Sequence, residues 1–127
     1  MVADHDGTSG SADAAGEVMA ALRELTSGDE ALLSEVLTSF LTTAAERIAA
    51  LRQAVASHDA DGLAAAAHSL RGLASQLHAR DLAELCRELE GRGLLQSLDG
   101  ALPVIERLAT RLDTLGPLIV ASSSESR

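Results

Sequence analysis

Lysine is absent from this 127-residue chain, as are tryptophan and tyrosine; Phe40 is the one aromatic residue and Cys86 the one cysteine. A single cysteine closes no internal disulfide, so a reducing cytoplasm is the expected setting. Proline occurs only at 103 and 117, which leaves 17–102 free of that helix breaker. No apolar run approaches the length of a membrane span, and no basic-then-apolar leader opens the chain, so no membrane association is expected. Positive charge is scarce as well. Ten arginines face 19 acidic residues, for a net charge of −9 with no basic cluster. That excludes the footprint a nucleic-acid partner requires. A GxxxxGK[ST] phosphate loop and any Glu-x-x-His pair are missing too, which argues against a nucleotide site and against a carboxylate-rich bundle metalloprotein.

What remains is rich in Leu and Ala, with 46% hydrophobic residues. That composition favours helices over strands, and the length suits one domain with a real core. Residues 1–15 are small, polar and acidic without apolar period and are expected to be a disordered lead. Residues 119–127 read as a disordered tail, and 16–118 as the folded domain. Within it the apolar residues follow helical spacing. A short helix over 16–26 carries Val18, Leu22 and Leu25, and Ser27 or Asp29 is placed to cap the next. A long helix over 30–57 has the stripe Leu33, Leu37, Phe40, Ala44, Ile48, Leu51 and Val55. Asp59 is a candidate cap for a third helix over 60–78, with Leu63, Ala67, Leu70, Ala74 and Leu77. A fourth over 80–92 carries Leu82, Leu85, Cys86 and Leu89 and is broken by Gly91 and Gly93. A last helix over 100–115 carries Leu102, Ile105, Leu108, Leu112 and Leu115 and stops at Gly116-Pro117. Short links between long amphipathic helices make neighbours antiparallel. The expected fold is all-α, an up-down four-helix bundle with a short additional N-terminal helix.

The third helix holds the chemistry. At 3.6 residues per turn, His68 lies about 140° from the middle of its helix's apolar stripe, so the ring should face solvent or a partner. Ala64, Arg71, Gly72 and Ser75 fall on the same side. No Asp or Glu occurs between Gly62 and Arg80. A local carboxylate would repel an anion and favour the protonated, non-nucleophilic ring, so the acid-free segment suits a neutral imidazole meeting a phosphoryl group. Arg71, one turn on, can place charged donors on phosphoryl oxygens. Gly72 leaves backbone open to a partner, at a helix cost of roughly 1 kcal/mol relative to Ala.

Ala67-His68-Ser69-Leu70-Arg71-Gly72 resembles the A-H-x-L-K-G signature of histidine phosphotransfer (HPt) domains. Leu51 through Asp59 and Leu63 before it, and Leu82, Leu85, Cys86, Leu89 and Glu90 after it, match the family's flanking helices. The likeness covers about 17–115. It departs in two places: Arg71 stands where lysine is usual, in a chain without lysine, and His78 stands where the family tends to have a glycine for a left-handed helix cap. The resemblance implies a phosphoryl relay without its own ATP site or autokinase activity. His68 would take a phosphoryl group from a receiver-domain aspartate of a hybrid histidine kinase and pass it to the receiver of a response regulator. It implies that Mg2+ comes from the receiver, with no cofactor held by this chain, and that the protein works as a monomer. Ala64, Gly72, Ser75 and Glu90 would form the partner-binding surface, Glu90 from the end of the neighbouring helix within reach of the ring. The alternative is a helical adaptor that binds a receiver or kinase domain without phosphotransfer.

Overall fold

The computed structural model describes residues 16–115, and all the regular structure there is helical. A short helix α1 spans 16–25. It is followed by α2 (Glu30–Ala56), α3 (Ala60–Gln76), α4 (Arg80–Leu94) and α5 (Ala101–Asp113). The expected disordered segments and the Gly116-Pro117 stop lie outside the described residues. Consecutive long helices are neighbours, and α5 returns to α2, which closes an up-down bundle of four. Among the described residues no helix is long and apolar enough to cross a membrane.

The reversals follow from local chemistry. Asp29 caps α2 by accepting from the Leu32 amide at 3.1 Å, and Asp59 caps α3 by accepting from the Gly62 amide at 2.9 Å. Asp59 also donates its own amide to the Ala54 carbonyl at 2.8 Å, so one residue ends α2 and starts α3. The same closing bond recurs from Ala79 to Ala74 and from Ser97 to Arg92. Each needs a left-handed residue just before it, and His58, His78 and Gln96 fill the position with φ near +57° (56°, 58° and 58°). His78 therefore takes the conformation its place in the turn demands. That ends α3 two residues before the expected boundary.

The core follows the predicted stripes through Leu33, Leu37, Phe40, Ile48, Leu51, Leu63, Leu70, Leu89 and Leu108. Each fully buried leucine contributes about 1.5–3 kcal/mol of transfer free energy. Two stripe members stand in solvent instead, Leu25 61% exposed and Leu102 48%, while Val55 and Leu85 are only partly buried against the core. Ala21 and Thr26 join Val18 and Leu22 on the inner side of the first segment, and in α5 Ala101 and Val104 join the expected Ile105, Leu108 and Leu112.

Gly91 and Gly93, expected to end α4, lie inside it. A Cβ at Gly93 would stand 2.6 Å from the Ala60 carbonyl oxygen and 2.7 Å from the Ala64 nitrogen. The glycine lets α4 sit directly on the start of α3, and these two helices have the closest association in the bundle. This contact brings the end of α4 up to His68.

Candidate functional site

His68 stands on the outer crest of α3, its side chain 67% exposed, while Ala67 and Leu70 beside it anchor the helix in the core. The outward direction expected from the helical period is what the structure has. On α4, the buried Cys86 and Leu89 fix the register and turn Glu90 toward α3. Its Oε2 lies 2.9 Å from His68 Nδ1, and its Oε1 accepts from Arg71 Nε at 2.9 Å.

This pairing fixes the ring's chemistry. An ionised carboxylate can only accept, so Nδ1 carries the proton, and in the neutral ring Nε2 holds the lone pair. Nδ1 then has no lone pair for Arg71 Nη2, 3.3 Å away; that contact is one of proximity, and the guanidinium is held by its Nε bond to Glu90. The Glu90 side chain is only 18% exposed. Burial works against its ionised form, but the hydrogen bonds from Arg71 and His68 outweigh that effect and hold the carboxyl below its ordinary range. The carboxylate and the guanidinium cancel, which leaves a neutral patch around an exposed ring nitrogen.

Three sequence-based expectations change here. The site is not acid-free: Gly62–Arg80 contains no carboxylate, but α4 supplies one across the helix interface. Glu90 does reach the ring, yet both its oxygens are taken up by His68 and Arg71, so it faces inward and not toward a partner. Ala64 is 9% exposed and packs beneath Gly93. A wheel drawn around one stripe cannot register that α3 has a second buried face, against α4.

Gly72 and Ser75 do lie exposed on the His68 side, and a Cβ at Gly72 would meet nothing within 4 Å. On the opposite flank Ser69 accepts from Arg47 Nε of α2 at 3.0 Å, a contact that sequence reasoning did not anticipate. Burial pushes the Cys86 thiol up to about 12, so this cysteine does not compete as a nucleophile. His58 and His78 occupy turns away from the crest.

Comparison with known proteins bears on the family and the fold. The Hpt domain family matches residues 35–116. Among solved structures, histidine-containing phosphotransfer protein B (HptB) from Pseudomonas aeruginosa PAO1 is similar, with a TM-score of 0.75 and 29% sequence identity over 87% of this chain and 93% of that one. No curated protein sequence matches the chain.

Proposed function

The chain belongs to the Hpt domain family, and from that footing we propose that it relays a phosphoryl group through Nε2 of His68, from one receiver-domain aspartate to another. A histidine phosphotransfer carrier is the role that family membership and the likeness to HptB support. The donor would be the receiver of a hybrid kinase, the acceptor that of a response regulator, and the exchange cytoplasmic with this protein monomeric.

The observation that carries the reading is the bond between Nδ1 and Glu90. In the neutral ring it supports the tautomer with no proton on Nε2, the form that can attack the aspartyl phosphate directly. The Nε2 lone pair forms the P–N bond while the P–O bond to aspartate breaks, and the carboxylate leaves with that electron pair. The phosphorylated ring retains its Nδ1 proton and is cationic, and Glu90 offsets that charge where it develops. Arg71 braces Glu90 and so positions the ring through it. The magnesium ion of receiver chemistry is assigned to the partner's acidic pocket.

Incubation with receivers carrying labelled phosphate tests this. Acid-labile label should move to the wild-type protein and not to His68→Gln. If the wild-type protein stays unlabelled across a broad panel of receivers, the relay reading fails.

A further inference from the structure

We propose that Arg47 is the charge contact that seats the receiver domain: a guanidinium tethered to the residue that follows His68, ready for the acidic rim of the partner's phosphoacceptor pocket. The inference rests on the relay reading above and adds a residue to its docking surface.

Net charge poses the problem. This chain carries −9, and a pocket built of aspartates is acidic as well, so the two surfaces repel unless cations lie between them. Arg71 is the obvious candidate from its place one turn after His68, but Glu90 neutralises it at 2.9 Å. Most other arginines are also paired with carboxylates. Arg23, Arg47 and Arg107 form no ion pair among the described residues. Arg23 and Arg107 are exposed, whereas Arg47 is half-buried and reaches from α2 to α3.

Its attachment leaves the charge available. Nε donates to Ser69 Oγ at 3.0 Å, while Nη1 and Nη2 have no hydrogen-bond partner among the described residues. Ser69 directly follows His68 and lies about 100° around α3 from it. Arg47 therefore sits on the α2 flank of the crest, and the Glu90–Arg71 pair on the α4 flank. Glu46, its acidic chain neighbour, does not pair with it. The tether to Ser69 orients the guanidinium before any partner arrives, so less conformational entropy is lost on binding. One turn before Arg47, Thr43 lines a cleft of about 470 Å³ between α2 and α3, together with Phe40, Leu73 and Leu77, and with Leu25 of α1 and the acidic Glu35 farther along it. Arg47 stands at the His68 end of this cleft, where a docked partner gains charge and apolar contact together.

The experiment uses full-length protein and a receiver chosen from a purified panel for its ability to label the wild type. Receiver affinity and transfer rate are measured against salt, alongside direct labelling of His68 by phosphoramidate. Arg47→Glu should weaken receiver binding by about tenfold at low salt and flatten its salt dependence. Arg47→Lys should keep most of the affinity, and Ser69→Ala, which releases the tether but keeps the charge, should fall between. Phosphoramidate labelling should stay within about twofold of wild type in all three, because that reagent needs no docking. Unchanged receiver affinity in Arg47→Glu overturns the proposal, as does a lysine variant as impaired as Arg47→Glu. If no receiver labels the wild type, the relay reading itself falls, and this inference with it.

Discussion

The Nδ1 atom of His68 and Oε2 of Glu90 meet at 2.9 Å, although 22 residues separate them in the chain. The contact joins the crest of α3 to the end of α4 and decides which ring nitrogen is free to react. It depends on Gly93, whose missing side chain lets α4 lie against Ala60 and Ala64.

Removing the carboxylate should release the tautomer. In Glu90→Ala the Nε2–H form of His68 should gain population, visible as a change in the ring-nitrogen NMR shifts. Transfer from a receiver should slow by about tenfold or more while helix content is kept. An unchanged tautomer ratio would show that the bond does not orient the ring.

Arg71 and Glu90 should behave as one unit. Arg71 holds Glu90, and Glu90 holds the ring, so losing either disables the same contact. In a double-mutant cycle, Arg71→Ala and Glu90→Ala together should slow transfer by clearly less than the product of their separate effects. Independent, multiplying effects would instead mean that Arg71 touches the phosphoryl group on its own.

Acid should loosen the α3–α4 brace later than an ordinary carboxylate would allow. The folded-state value of Glu90 lies below 4.5, since the bonds from Arg71 and His68 outweigh burial. A group depressed in the folded state stabilises fully above its unfolded value, and that contribution disappears as pH falls through the folded one. The stability difference between wild type and Glu90→Gln, followed by urea unfolding, should shrink as pH falls below about 5. A difference that grows below about pH 5 would contradict the assignment.

Two glycines should respond oppositely to alanine. At Gly93 the new methyl would press on the Ala60 carbonyl and on Ala64, costing about 1–3 kcal/mol and moving Glu90 away from His68. At Gly72 it would meet nothing, and the better helix former should add up to about 1 kcal/mol. Thermal unfolding of the two variants checks both signs; equal effects would mean that close helix approach is not the role of Gly93.

Most of the helical stripes, the cap at Asp59 and the outward turn of His68 were legible in the sequence, and Asp29 was one of two candidates for the cap of α2. These are local properties: period, capping chemistry and side-chain direction act over one or two turns and need no knowledge of a neighbour. His78 belongs with them, since a turn after a helix asks for a left-handed residue whatever the fold.

Apart from the reach of Glu90 toward the ring, which the family resemblance implied, the contacts between helices were not legible. Arg47 and Arg71 look alike in the chain, each without a carboxylate three or four residues away on either side. The tertiary structure gives one a carboxylate from α4 and the other only a serine hydroxyl from α3. It likewise hides Ala64 under Gly93 and carries Glu90 into a segment that has no acid of its own. The sequence by itself determined which residue could be the nucleophile and which way it faces. Packing of α4 on α3 decided which of its nitrogens is free and which nearby cation keeps its charge, because those depend on distances across a helix interface that no single-helix pattern encodes.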